Sequence, residues 1–218
     1  MSAERTQLQA GAQALGTPIT EAQADTLLAY LALLQRWNAV YNLTAIRDPQ
    51  QMLVQHLLDS LSVLAPLDRH RTGLGDRPIR LLDVGSGGGL PGVVIAVLRP
   101  DIAVTCVDTV GKKATFIRQV AAELRLPNLQ ARHARVEELK DPPFDLITAR
   151  AFASLADLVR LTRGLLASGA CWMAMKGQHP QAEIDALPAD VSVFHVEPLR
   201  VPQLDAERCL IWLRPATV

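Results

Sequence analysis

The 218-residue sequence is short of three things: cysteine, net charge and long apolar runs. Its cysteines are only Cys106, Cys171 and Cys209. An odd number at no ligand-like spacing argues against a disulfide framework or a zinc site, and no metal is expected; buried, reduced thiols fit better. Net charge is absent because 22 Lys and Arg offset 22 Asp and Glu. No global field therefore drives the chain onto nucleic acid or an anionic membrane, and any such binding has to come from a local patch. Nowhere do about 18 apolar residues follow one another, as a membrane span would require. The polar stretch from Met1 to Gly16 has no apolar signal core, so the cytoplasm is the expected compartment. What is present is a globular composition, 49% hydrophobic and 20% charged. That excludes intrinsic disorder and, at this length, provides one sizeable core.

Two regimes follow one another along the chain. Residues 1 to about 75 read as a helical extension packed on a domain formed by residues 76 to 218. Thr20 and Gln23 form a capping box, followed by Leu27, Leu28, Leu31 and Leu34 at helical spacing up to Trp37. Asp48-Pro49 opens a further helix as N-cap and first residue, with Leu53, Leu57, Leu61 and Leu64 as its core stripe. The charged stretch Leu67 to Pro78, with Gly73, Gly75 and Pro78, reads as a linker or exposed loop.

From Ile79 onward strands and helices alternate. Strands are expected at Ile79–Val84, Ile102–Val107, Leu129–His133, Asp145–Ala149 and Cys171–Met175. Helices are expected at Pro91–Arg99, Lys112–Leu124 and Leu155–Leu166. Val191–Val196 and Leu210–Leu213, with no helix-length segment between them, suit an antiparallel pair at one edge. The fold class is α/β: a doubly wound, mostly parallel seven-stranded Rossmann-like sheet, with an N-terminal helical extension.

The segment Asp83-Val84-Gly85-Ser86-Gly87-Gly88-Gly89-Leu90-Pro91-Gly92 bears the chemistry. Glycines after a strand let the backbone turn sharply and approach a ligand where open α/β sheets bind. Gly87 to Gly92 also satisfies the dinucleotide fingerprint, and Asp108 lies at the distance that fingerprint asks. Asp83 favours a different ligand. A carboxylate at the mouth of the strand opposes a pyrophosphate and suits the ammonium and sulfonium of S-adenosylmethionine. Gly85, Gly87 and Gly89 would line the turn, and Asp108 would accept from the ribose hydroxyls.

Arg135-Val136-Glu137-Glu138 follows the third strand, placed to meet adenine, although a solvated helix start is the plainer reading of both glutamates. Thr148-Ala149-Arg150-Ala151, taken to follow the fourth strand, lacks the acceptors that exocyclic-amine methylation uses. Asp141-Pro142-Pro143-Phe144 spells such a motif but precedes the strand, so it reads as a turn. Carbon-5 pyrimidine methylation needs a thiolate on a loop, and the cysteines fall in or at strands. An acceptor with a free lone pair, such as guanine N7, needs no general base; Arg150 would reach guanine O6 or a phosphate, or form a surface ion pair.

Taken in order, Asn42-Leu43-Thr44-Ala45-Ile46, His56-Leu57-Leu58-Asp59-Ser60-Leu61, the glycine loop, Arg150-Ala151 and Lys176-Gly177 resemble the RsmG/GidB family. These are bacterial methyltransferases acting on guanine N7 in small-subunit rRNA, and the likeness runs from about residue 20 to about residue 180. It implies that Gly85, Leu90, Val136, Glu137 and Arg150 contact S-adenosylmethionine, with Asp83 and Asp108 in support. It implies active-site roles for Asn42, Arg150 and Lys176, and RNA contacts from Arg36, Arg47, Arg150, Lys176 and His56. For Asn42 the alternative is a capped turn, and for His56 a packed helical side chain. The implied partner is 16S rRNA or the small ribosomal subunit, met by a monomer. The rival readings are a small-molecule or protein methyltransferase on the same fold, and a cofactor-binding assembly factor without turnover.

Overall fold

A computed structural model describes residues 2–72 and 78–216. Helix α1 (Ala3–Ala14) and the long α2 (Glu21–Tyr41) open the chain. Thr20 and Gln23 close the expected capping box at the start of α2. Its leucines Leu27, Leu31 and Leu34 are buried at helical spacing. Asp48 caps α3 (Pro49–Met52) by accepting from the Gln51 N–H at 2.8 Å. The helix then widens into a π-helical turn, Leu53–Leu58, before α4 (Asp59–Leu61) and α5 (Leu64–Arg71). Such a turn holds one extra residue per hydrogen-bonded ring and re-aims the side chains it carries.

The expected linker from Leu67 needs correcting. Residues 67–71 complete α5, with Leu67 buried in register with Leu64. The charges that suggested solvent are paired instead: Asp68 accepts from Arg99, and Arg71 meets Asp101. Residues 73–77 of that stretch lie outside the described residues.

Seven strands follow: β1 (Ile79–Val84), β2 (Ile102–Asp108), β3 (Leu129–His133), β4 (Phe144–Arg150), β5 (Leu166–Lys176), β6 (Val191–Pro198) and β7 (Cys209–Pro215). They form one sheet in the order β3-β2-β1-β4-β5-β7-β6. Every pairing from β3 to β5 is parallel, and β7 is antiparallel to both β5 and β6. Between the strands run α6 (Gly92–Leu98), α7 (Gly111–Glu123), α8 (Leu155–Thr162) and the short α9 (Gln181–Asp185).

Alternation along the strands sorts the core onto two faces. Leu81, Val104 and Met173 pack with Leu8, Leu31 and Leu57 of the N-terminal helices and with Val94 and Ile117 of α6 and α7. Leu82, Ile147 and Trp172 pack on the other face with Leu155 and Leu158 of α8. Strand order reverses at β1/β4, so the crevice of a doubly wound sheet opens at the carboxyl ends of these two strands. Among the described residues, no helix is long and apolar enough to cross a membrane.

Candidate active site

A cavity of about 620 Å³ opens at that crevice, within the size range of small-ligand sites. Its floor is the glycine loop, Gly85 to Gly88 and Leu90; its walls include Thr44, His56, Asp59, Arg150, Lys176 and Arg208. Gly85 and Gly87 take φ of +64° and +58°, which side-chain-bearing residues rarely adopt. At Gly92 the reason for glycine is space, because a Cβ would stand 2.6 Å from Cys106 Sγ and 2.8 Å from Asp83 Oδ2.

The loop amides point into the protein. Gly85 and Ser86 N–H donate to the Val107 carbonyl at 2.9 and 3.2 Å, Gly87 N–H to Asp108 Oδ2 at 3.0 Å, and Gly89 and Leu90 N–H to the Ser86 carbonyl. At the start of α6, Gly92 N–H donates to Asp83 Oδ2 at 2.9 Å and Val93 N–H to the Gly89 carbonyl. These are the donors a dinucleotide pyrophosphate would need, and they are engaged.

This arrangement corrects the part expected of Asp83. Its carboxyl is fully buried beneath the loop and does not line the cavity. Burial lifts its pKa to about 7, so near neutrality it is no fixed negative charge at the mouth. Asp83 ties the first turn of α6 to the end of β1.

A second correction concerns Thr148-Ala149. Both belong to β4, with Thr148 buried and its Oγ1 donating to the Met173 carbonyl at 2.8 Å; the loop begins only at Ala151.

Arg150 reaches from the end of β4 across to the helical segment. Its Nη1 donates to the Gln55 carbonyl at 2.9 Å and to Asp59 Oδ2 at 3.0 Å. Arg208 donates through Nε to Asp59 Oδ1 at 2.9 Å, so one buried carboxylate holds two guanidinium groups. Lys176 Nζ lies 2.8 Å from Glu183 Oε2 and donates to the Ala153 carbonyl. His56 Nε2 sits 3.1 Å from Thr44 Oγ1. Burial, reinforced by Arg150, lowers the His56 pKa to about 4 and keeps the ring neutral.

The other expected site side chains lie off the cavity's lining. Asp108 ends β2 with both oxygens bound, to Gly87 and Val110 N–H. Val136 is buried and Glu137 exposed in the turn after β3. Asn42 and Arg47 bond each other at 2.9 Å on the surface, where Asn42 ends α2 in a left-handed conformation. Arg36 is exposed and faces Glu123 on α7. Arg150, Lys176 and His56 are thus brought to the cavity wall, while Gly89, Asp108, Val136, Glu137, Asn42, Arg36 and Arg47 are not among its lining.

Sequence reasoning missed three contributors. Asp59 stood in a quoted motif without a role. Arg208 sits in the β6–β7 connection, where no local pattern marks it. Tyr30, read only as part of a helix, donates its hydroxyl to the Gly88 carbonyl at 2.7 Å and steadies the loop from below. The cysteines are in strands and buried, with the Cys171 thiol pushed up to about 12 by burial, so a thiolate nucleophile is disfavoured.

The sequence profile described as rRNA small subunit methyltransferase G matches residues 23–211. A ribosomal RNA small subunit methyltransferase G from Leptothrix cholodnii is 75% identical over 218 residues, covering 100% of this chain and 99% of that one. Its counterpart from Acidovorax sp. (strain JS42) is 61% identical, covering 95% and 94%. Among solved structures, ribosomal protein L11 methylase from Lactobacillus delbrueckii subsp. bulgaricus aligns with a TM-score of 0.53 at 18% identity, over 71% of this chain and 77% of that one. At that identity the likeness establishes the fold alone, a Rossmann-like class I methyltransferase.

Proposed function

Because the chain belongs to the rRNA small subunit methyltransferase G family, we propose that it transfers a methyl group from S-adenosylmethionine to N7 of a guanine in 16S rRNA. The observation that carries this reading is the pairing of an inward-turned glycine loop with a cationic opposite wall. Lys113, Arg150, Lys176 and Arg208 line the cavity, which suits a polyanionic substrate although the chain as a whole is neutral.

The residues fit the cofactor. An added Cβ at Gly87 would meet only open space, so a ligand can approach the backbone there. Gly85 and Leu90 also face the cavity. Asp108, at the end of β2, keeps lone pairs for ribose hydroxyls beyond the two amides it already binds. Val136 and Glu137 stand after β3, where adenine would lie. When bound, S-adenosylmethionine supplies a methyl group on a sulfonium, open to attack by a lone pair.

Guanine N7 carries such a lone pair and no proton, so these side chains need only align the base and exclude water. The neutral His56 and the suppressed thiols agree with a site that has no general base to supply. Arg150 and Arg208 hold the target nucleotide, with Lys176 against its backbone, and the guanine reaches them unstacked. The test is transfer of methyl label from S-adenosylmethionine to small ribosomal subunits, followed by nucleoside digestion. Label in 7-methylguanosine is expected. Label in another nucleoside or only in protein, or none at all, refutes the proposal.

A further inference from the structure

Among the described residues, four large hydrophobic side chains are exposed: Val40, Tyr41, Val110 and Phe194. Phe194 is covered by the Arg214 guanidinium, 5.2 Å from its ring centroid. Of the other three, Val40 and Tyr41 end α2 and Val110 immediately precedes α7, where these two helix ends meet. Lys112 joins these two ends by donating from Nζ to the Tyr41 carbonyl at 2.6 Å. The chain has two tyrosines; Tyr30 is wholly buried, whereas Tyr41 is 44% exposed.

Tyr41 is also rigidly braced. Its ring centroid is 5.0 Å from that of Trp37, which is 5.5 Å from Phe116, which is 6.2 Å from Tyr30. Tyr30 in turn holds Gly88 of the glycine loop. An aromatic series thus runs from the cavity floor to the surface and ends on one exposed ring. That ring stands near the mouth: Leu43 and Thr44, two and three residues after it in the chain, and Lys113, next to Lys112, line the cavity. Cations are tied to it and to its neighbour: Lys112 bonds the Tyr41 carbonyl and Arg47 bonds Asn42. Lys112 and Arg47 make their hydrogen bonds to neutral oxygens, so their charges are not cancelled there. Arg36, one turn before Val40, meets Glu123 only at 3.8 Å and largely in solvent.

We propose that Tyr41, flanked by Val40 and Val110, is a stacking platform for an unpaired RNA base neighbouring the target nucleotide, with Lys112 and Arg47 on the adjoining phosphates. A braced aromatic face with cations close by is an arrangement by which proteins hold single-stranded RNA. The inference rests on RNA being the substrate of the adjacent cavity. It gives the neutral chain the local patch that its composition requires.

Steady-state methylation of small ribosomal subunits tests it with Tyr41→Ala, Tyr41→Leu and Tyr41→Phe. Loss of one base–aromatic stack raises KM by roughly 5- to 150-fold. Tyr41→Ala and Tyr41→Leu are expected to show that rise with kcat and S-adenosylmethionine affinity unchanged, and Tyr41→Phe to behave as wild type. Tyr41→Leu keeps apolar cover over Trp37, so the test survives should the alanine variant not fold. Wild-type KM in the leucine variant overturns the platform, as does a Tyr41→Phe defect as large as that of Tyr41→Leu, or a parallel loss of cofactor affinity. A wild-type protein that methylates no rRNA would instead overturn the proposed function, a distinguishable result.

Discussion

Asp59→Asn tests how the cavity wall is held. The Asp59 side chain is 3% exposed and its two oxygens receive Arg150 at 3.0 Å and Arg208 at 2.9 Å. Asparagine keeps the shape but removes the charge, and its amide nitrogen must face one of the guanidinium donors. Removing one partner from a buried ion pair costs about 3–5 kcal/mol. Here the arginine side chains keep 22% and 23% of their exposure, so solvent screening lowers the cost to about 2–3 kcal/mol. For a chain of this length that is a fall in Tm of about 4–12 °C. Thermal melts and urea midpoints measure it, and the KM for rRNA should rise as Arg150 and Arg208 lose their common anchor. Combining Asp59→Asn with Arg208→Leu removes one orphaned charge, so the double variant should melt above Asp59→Asn alone. A Tm for Asp59→Asn within 1 °C of wild type, or strictly additive losses, would refute the shared-carboxylate account.

Gly92→Ala should destabilise more than Gly87→Ala, since its Cβ would collide with Cys106 and Asp83 whereas Gly87 faces open space at φ +58°. Roughly 1–3 kcal/mol is expected for overpacking against about 1 kcal/mol for backbone strain, read from urea midpoints; the reverse order would contradict the packing argument. Tyr30→Phe deletes the bond to Gly88 and should cost about 1 kcal/mol and weaken cofactor binding measured by calorimetry, an effect whose absence would free the loop from this support. His56, lowered to about 4, makes the folded state bind fewer protons, so its contribution is lost as pH falls from 6.5 toward 4. Asp83, raised to about 7, does the opposite, and its contribution is lost as pH rises from 3.8 through about 7. These slopes offset each other between pH 4 and 6.5. His56→Gln and Asp83→Asn should therefore tilt the stability profile in opposite senses, each by about 1.4 kcal/mol per pH unit, and tilts of the same sign would refute the assignment.

The sheet was legible because its signals are local. Runs such as Ile79–Val84 and Ile102–Asp108 are apolar, β-branched and closed by glycine or a carboxylate, so their positions came out within a residue. Where local signal fades, so did the reading. β5 begins at Leu166, five residues before the expected Cys171, because Ala167-Ser168-Gly169-Ala170 has no strand-favouring side chains and is ordered by its neighbours. The charges of α5 resembled a loop until their partners, Arg99 and Asp101, were brought alongside by the fold.

The site was legible in the same uneven way, and the reason is topological. The glycine loop declares itself because a strand, a turn and a helix start lie within ten residues. The cavity wall joins residues far apart in the chain, Arg208 bonding Asp59 across 149 positions, and no spacing rule spans that gap. The π-helical turn before Asp59 is equally silent in a leucine-rich stripe that fits an ordinary helix. Asp83 shows the limit most directly. Its place in the motif was read correctly, but its electrostatic part depended on burial, which only the packed α6 establishes. A carboxyl covered by Gly92 and Cys106 and raised to about 7 cannot act as a surface anion. What the fold adds to the motif is backbone amides held inward by Val107, Asp108 and Ser86, and lining cations gathered from four separate segments.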